Sequence, residues 1–379
     1  MSDTELQSAV RSALAKVIDP ELRKPITELN MVKSIDVGPD AGIHIEILLT
    51  TAGCPKKAEI TELVSKAATD VPGTGSVKVS LGVMNDEQRT ELRKSLRGDA
   101  AEPVIPFAQP GSLTRVYAVA SGKGGVGKSS VTVNLAAAMA ARGLSVGLLD
   151  ADIYGHSVPR MMGTDERPTQ VESMILPPIA HEVKVISIAQ FTQGNTPVVW
   201  RGPMLHRALQ QFLADVYWGD LDILLLDLPP GTGDIAISVA QLIPGAEILV
   251  VTTPQMAAAE VAERAGAIAI QTRQKVVGVV ENMSGLVLPD GSVMQIFGEG
   301  GGERVAESLS RVFGTDVPLL GQVPLDPALV AAGDSGVPLV LSAPDSAAGK
   351  ELQKIADSLS SRRRGLAGMS LGLDTARRG

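Results

Sequence analysis

Between Gly122 and Ser129 the chain reads Gly-Lys-Gly-Gly-Val-Gly-Lys-Ser, which satisfies the spacing G-x-x-x-x-G-K-[ST]. Gly122, Gly124, Gly125 and Gly127 free the backbone to curl until its N–H groups converge, and a helix N-terminus behind them adds partial positive charge. Such a cradle binds phosphate oxygens. Lys128 is suited to neutralise the β- and γ-phosphates of a nucleotide, and the Ser129 hydroxyl to bind Mg²⁺. With Val126 and Ser130, which complete the turn into the helix, the expected cradle runs from Gly122 to Ser130. A glycine-rich turn without a ligand is the alternative, but the motif lies between an apolar run and a helical pattern, the context it requires. Lys123 is not needed for the loop's own geometry and taken alone reads as a solvated lysine.

Carboxylates recur where buried strands should end. Asp150 and Asp152 close the run Leu148-Leu-Asp-Ala-Asp, and Asp227 closes Asp222-Ile-Leu-Leu-Leu-Asp. At the carboxyl ends of parallel strands such groups face the ligand crevice. Asp227 is placed to hold Mg²⁺, usually through water, and Leu-Pro-Pro-Gly-Thr-Gly-Asp234 after it is a turn able to sense the outermost phosphate. An aspartate at position 150 also serves as a helix N-cap. Asn282, at the end of another apolar run, offers the paired donor and acceptor that an adenine edge requires; capping a turn is its other use. Cys54 precedes Pro55 at a strand-to-helix turn, where a helix N-terminus favours the thiolate, although a small buried hydrophobe is the equal alternative. His156 reads as a loop contact, and His44, His181 and His206 show no metal-ligand spacing.

The elements that must position these groups fall into two sets. In the first, helical spacing from Leu6 to Val17, strand-like runs Met31 to Val37 and Ile43 to Leu49, a second helix from Lys56 to Ala68 and a strand from Ser76 to Val83 make a small α+β domain, residues 1–84. Polar sequence and then three prolines make 85–111 a linker. From 112 to 361 short aliphatic strands (Val116–Ala120, Val146–Asp150, Val183–Ile188, Ile223–Asp227, Ile248–Thr252, Val276–Val280, Pro318–Val323) alternate with helices, the last about Ala347 to Ser360. That alternation predicts an α/β, doubly wound and mainly parallel sheet. The Arg- and Gly-rich tail 362–379 is expected to be disordered.

Composition narrows the function. Of 379 residues 44% are hydrophobic but only 3% aromatic, so aliphatic side chains must build the cores, as parallel sheets buried on both faces allow. A net charge of −8 disfavours general affinity for nucleic acid or anionic lipid, leaving only the basic tail as a local patch. The single cysteine excludes an intramolecular disulfide and any metal site drawing two thiolates from one chain. No signal peptide or apolar run of spanning length is found, and a cytoplasmic location is expected.

The loop Lys123-Gly-Gly-Val-Gly-Lys-Ser129 resembles the deviant Walker A sequence of the MinD, ParA, ArsA and nitrogenase iron-protein class of P-loop NTPases. That resemblance implies that Lys123 reaches across a homodimer to the partner's nucleotide, that Asp152 positions or activates the attacking water while Asp150 supports Mg²⁺ or the loop itself, and that Asn282 recognises the base. Asp150-Ala-Asp-Ile-Tyr-Gly-His-Ser-Val-Pro, Asp227-Leu-Pro-Pro-Gly-Thr-Gly-Asp and Glu281-Asn-Met-Ser resemble the Mrp/ApbC family of iron-sulfur cluster carriers more closely than MinD or ParA. Ile18-Asp-Pro-Glu-Leu, Ile26-Thr-Glu-Leu-Asn-Met-Val and Thr51-Ala-Gly-Cys54-Pro resemble the small iron-sulfur assembly domain fused ahead of such ATPases. The family implies ATP and Mg²⁺ as cofactors, a [4Fe-4S] cluster held between two subunits, and transfer of clusters to apo iron-sulfur proteins or assembly factors. Its Cys-x-x-Cys pair after Glu-Asn-Met-Ser is missing: Gly285 to Gly298 contains no cysteine. Four thiolates are the ordinary requirement, and two copies of Cys54 offer two. The alternatives are an Mrp-like accessory ATPase without a bridging cluster, a MinD/ParA-like positioning switch, and an electron-transfer reductase. Val198-Val-Trp200-Arg201-Gly-Pro-Met looks like a family motif near the dimer surface, though a core tryptophan fits Trp200 equally; the role of Trp218 is open.

Overall fold

The computed structural model describes residues 2–51, 54–97, 104–152, 155, 157–191, 202–231, 234–255, 269–288 and 290–361. Two compact units emerge, one of Met1–Val104, Glu166–Pro178 and Asp215–Tyr217, the other of Ile105–Asp165, Ile179–Ala214 and Trp218–Gly379. Among the described residues no helix is long and apolar enough to cross a membrane. His156, Trp200, Arg201 and the tail 362–379 lie outside the described residues.

In the smaller unit, α1 (Asp3–Leu14) starts at a reciprocal cap in which Ser2 Oγ accepts from the Glu5 amide and Glu5 accepts from the Ser2 amide. Its Leu6, Val10 and Leu14, one face at helical spacing, are buried. β1 (Val32–Val37) pairs antiparallel with β2 (Ile43–Leu49), which pairs parallel with β3 (Val77–Val83). Ile43, Ile45 and Ile47 of β2 pack with Ile60 and Val64 of α2 (Lys57–Thr69) in one core.

Two features depart from the sequence reading. Residues 86–97, taken as the start of the linker, form a helix, α3 (Asp86–Arg97). Asn85 and Gln88 cap each other, and the buried Leu92 anchors the helix in the small core. With Leu92 its one fully buried apolar anchor among so many charges, the helix gave little sign of itself. The linker's later part is also structured: Phe107 is buried edge-on to Trp218, with ring centroids 6.4 Å apart, in the larger unit. Second, a hairpin from far along the chain, Thr169–Val171 against Met174–Leu176, belongs to the small unit, where Val171, Met174 and Leu176 join its core.

The larger unit is built on an eight-stranded sheet. Counting the hairpin strands as β6 and β7, and a second antiparallel pair, Leu286–Val287 with Val293–Met294, as β13 and β14, its members are β4 (Arg115–Ala120), β5 (Val146–Asp150), β8 (Ile179–Ala180), β9 (Val183–Ser187), β10 (Ile223–Asp227), β11 (Glu247–Thr252), β12 (Val276–Asn282) and β15 (Leu319–Val323). The order is β15-β12-β11-β4-β10-β5-β9-β8, parallel throughout except for the edge strand β8. β5, β10 and β12 are buried at every position, which is why they read as continuous aliphatic runs. α4 (Lys128–Ala140) is buried from Val131 to Ala140, its alanines allowing close packing, and it shares a core with the Ala347–Ser361 helix and with Val158 and Met162 at α5 (Val158–Met161). The expected doubly wound, mainly parallel α/β architecture is present.

Candidate nucleotide site

β4 runs centrally and delivers the glycine loop at its carboxyl end; β10 lies directly beside it and β5 beside β10. Their register sets Asp227 opposite Val119 on one side and Asp150 on the other. Three sequence features separated along the chain thus meet at one sheet edge, the crevice where parallel α/β sheets bind ligands.

Gly125 (φ +77°) and Gly127 (φ +78°) take the left-handed conformation, and Gly127 caps α4. A Cβ on Gly127 would lie 2.2 Å from Asn282 Nδ2, so only glycine fits there. Asn282 is 1% exposed and its amide donates to the Val126 carbonyl at 2.9 Å. The residue expected to read a base therefore braces the phosphate loop from behind. Its buried Oδ1 has no partner among the described residues, which leaves one amide atom for a ligand.

Asp227, with its side chain 1% exposed, is the focus of the site. Lys128 Nζ pairs with its Oδ1 at 2.7 Å, Ser129 Oγ donates to Oδ2 at 2.5 Å, and Thr132 Oγ1 donates to Oδ1 at 2.9 Å. A buried carboxylate so paired is electrostatically satisfied. Ser129 and Asp227 present hard oxygen donors side by side, a donor set that fits Mg²⁺ completed by phosphate and water oxygens. Thr132 went unnoticed in the sequence, although one turn after Ser129 it falls on the same face of α4.

Asp150 is 1% exposed beside the apolar side chains of Ile188, Leu205, Leu209 and Ile235. Burial, and then the charge of Asp227, push its carboxyl up to about 7. Ser187 Oγ donates to it at 3.0 Å and the Asp152 amide at 3.1 Å. Asp152 is half-buried and accepts from the Gly155 amide at 3.0 Å, leaving a carboxylate at the rim of the site. Lys123 donates to Gln255 Oε1. Ser121 carries the turn after Asp227 to the loop: its carbonyl accepts from Gly231 N at 2.8 Å, and its hydroxyl donates to the Lys123 carbonyl at 3.0 Å. Of that turn, Thr232, Gly233 and the Asp234 side chain lie outside the described residues.

Cys54, in the small unit, is 4% exposed, and its thiol donates to Glu21 Oε2 at 3.5 Å. Burial, and next the charge of Glu21, push the thiol up to about 12, against the expectation of a thiolate favoured by the helix N-terminus. No group of three or more His, Cys, Asp or Glu among the described residues is arranged to hold a metal ion. One protonated thiol does not make a cluster site by itself.

Comparison with known proteins agrees with this geometry. Residues 112–360 match the family model described as NUBPL iron-transfer P-loop NTPase, and residues 7–81 match that of an iron-sulfur cluster assembly protein. The chain is similar to the iron-sulfur cluster carrier protein of Mycobacterium tuberculosis, 82% identical over 376 residues and 99% of each chain. It is also similar to that of Synechocystis, 39% identical over 93% of this chain and 96% of the relative. Among solved structures it resembles a nucleotide-binding protein in complex with ADP from Archaeoglobus fulgidus, with TM-score 0.51, 34% identity, and coverage of 60% of this chain and 92% of the other. With a glycine cradle closed on a buried aspartate and both family models matched, this chain belongs to the family of iron-sulfur cluster carrier P-loop NTPases.

Proposed function

We propose that the protein is a Mg²⁺-dependent ATPase, working as a cytoplasmic homodimer, that carries iron-sulfur clusters to apo-proteins. The observation that supports the ATPase most directly is the convergence of Lys128, Ser129 and Thr132 on Asp227 beneath a loop with two left-handed glycines. Triphosphate in the cradle draws Lys128 Nζ from Asp227 onto the β- and γ-phosphates, while the loop amides take the remaining oxygens. Ser129 and Asp227 hold Mg²⁺, which when bound neutralises charge developing on the transferred phosphate. Thr132 keeps Asp227 oriented throughout. Asp152 orients the attacking water, and Asn282 supports the loop and turns its Oδ1 to the adenine. Lys123 exchanges Gln255 for the partner subunit's nucleotide, so turnover requires two chains.

The cluster is cargo in this reading. Cys54 supplies one thiol per chain and thus two per dimer, so the other ligands come from outside the chain, from a client or a small thiol. The test has two arms. ATP turnover per chain should rise with protein concentration, and Lys123→Ala should remove that rise. Anaerobic reconstitution followed by iron and sulfide counting should give a cluster that Cys54→Ala loses. Turnover independent of concentration would refute the dimer, and unchanged iron in Cys54→Ala would refute the thiol's role.

A further inference from the structure

The hairpin of residues 169–176 leaves the nucleotide-binding sequence after Asp165 and is built into the small unit. Its apolar side chains, Val171, Met174 and Leu176, are at most 1% exposed there. Thr169, at its start, and Glu166, three residues before it, bond groups that neighbour Cys54. Thr169 Oγ1 donates to Glu21 Oε1 at 3.2 Å, while the Cys54 thiol donates to the other oxygen of the same carboxylate. Glu166 pairs with Lys56, two residues beyond Cys54, at 3.1 Å. Away from the thiol, Glu172 accepts from Arg93 Nε on α3 at 3.0 Å.

Upstream the same segment is tied to the phosphate loop. Val158 and Met162 are completely buried in the core that surrounds α4, and only Gly163, Thr164 and Asp165 separate Met162 from Glu166. α4 begins with Lys128, which in the reading above leaves Asp227 for the phosphates, and Ser129, which with Asp227 holds Mg²⁺. A displacement of the first turn of α4 therefore has a short route, by packing onto α5 and then through residues 163–165, to the groups that bond the thiol's neighbours Glu21 and Lys56.

We propose that the hairpin is a tether between nucleotide and thiol: Glu166 and Thr169 are positioning residues that keep Cys54 covered, and binding of Mg-ATP pulls them off and exposes it. Because the thiol is only 4% exposed in the arrangement seen, a change in these contacts uncovers it rather than covers it further. The inference rests on the nucleotide-binding reading given above, but it does not depend on whether a cluster binds.

Cys54 is the only cysteine, so a thiol reagent reports on it alone. The full-length protein is labelled with 5,5′-dithiobis(2-nitrobenzoic acid) at constant pH, with and without Mg-ATP, and nucleotide occupancy is measured in the same samples with a fluorescent ATP analogue. Saturating Mg-ATP should accelerate labelling about 5-fold or more, the lower end of ordinary coupling between sites. The double variant Glu166→Gln, Thr169→Val should label fast without nucleotide and no longer respond to it. Glu172→Gln, which breaks the hairpin's other ion pair, should label like the wild type. An unchanged rate at full occupancy overturns the tether while leaving nucleotide binding intact. Failure to take up nucleotide overturns both readings, and equal acceleration by Glu172→Gln shows general loosening and also overturns the tether.

Discussion

Replacing Asp150 with asparagine should make the large unit more stable at alkaline pH and indifferent to pH across the neutral range. The wild-type carboxyl, ordinarily at 3.8, is pushed up to about 7 by burial and by Asp227. Between those values the folded chain keeps the proton and the unfolded chain has released it. The folded state thus binds more protons, and stability falls as pH rises through that window. The penalty is absent below about pH 4 and fully developed above about pH 7. Each pH unit corresponds to about 1.4 kcal/mol, which sets an upper limit of about 4 kcal/mol. Most of it, about 2–3 kcal/mol, falls between pH 5 and pH 8. Asparagine is nearly isosteric: its Oδ1 accepts from the Asp152 amide as one carboxylate oxygen does now, and its Nδ2 donates to Ser187 Oγ, whose hydroxyl turns to accept. The assay is urea unfolding followed by tryptophan fluorescence, without nucleotide or Mg²⁺, at pH 5 and pH 8. Asp19 and Glu21 in the small unit are also raised, chiefly by burial, so the difference between variant and wild type isolates Asp150. The variant should already lead at pH 5, and its lead should grow by about 2–3 kcal/mol on going to pH 8. A wild type and variant that track each other at both pH values would refute the reasoning.

Lys128→Ala should lower ATP affinity at least ~100-fold in calorimetry, since it deletes the cation meant for the phosphates, and should lower the melting temperature because Asp227 loses its buried ion pair. Asp152→Ala should bind ATP within about 3-fold of wild type yet turn it over at least ~100-fold more slowly, as loss of a water-positioning group implies; normal hydrolysis would remove Asp152 from the mechanism. Gly127→Ala should weaken ATP binding about 10-fold or more, because an L-residue there pays about 1–2 kcal/mol for the left-handed backbone and meets Asn282 as well. Adding Asn282→Ala should recover only the steric part, and strictly additive losses would show that the two do not touch. Leu92→Ala should destabilise the small unit by about 2–4 kcal/mol in chemical denaturation, the usual cost of a core cavity; a change near zero would return residues 86–97 to the linker.

How much was legible depended on the range of the forces involved. The glycine loop, its two lysines and Ser129 were readable because a phosphate cradle is made from consecutive residues. Asp150 and Asp227 were readable because each ends an aliphatic run that only a doubly covered strand can explain. α3 was missed because Leu92 is its single fully buried anchor in a charged stretch, and its Asn85–Gln88 cap is a weak signal alone. Asn282 was placed at the right strand end, but its contact with the Val126 carbonyl depends on how β12 meets the loop after β4.

By itself the sequence determined the phosphate-binding loop, the strand–helix alternation of the large unit and the limit set by one cysteine, because each is a property of local spacing or of composition. Tertiary structure alone decided that Ser129 meets Asp227 across 98 residues of chain and that Lys56 meets Glu166 across 110. It also decided that the 169–176 hairpin joins the small unit and that Cys54 is held as a protonated thiol. The physical reason is common to all four. Strand order, register and burial set the distances and the dielectric between groups remote in sequence, and those two quantities govern pairing and protonation.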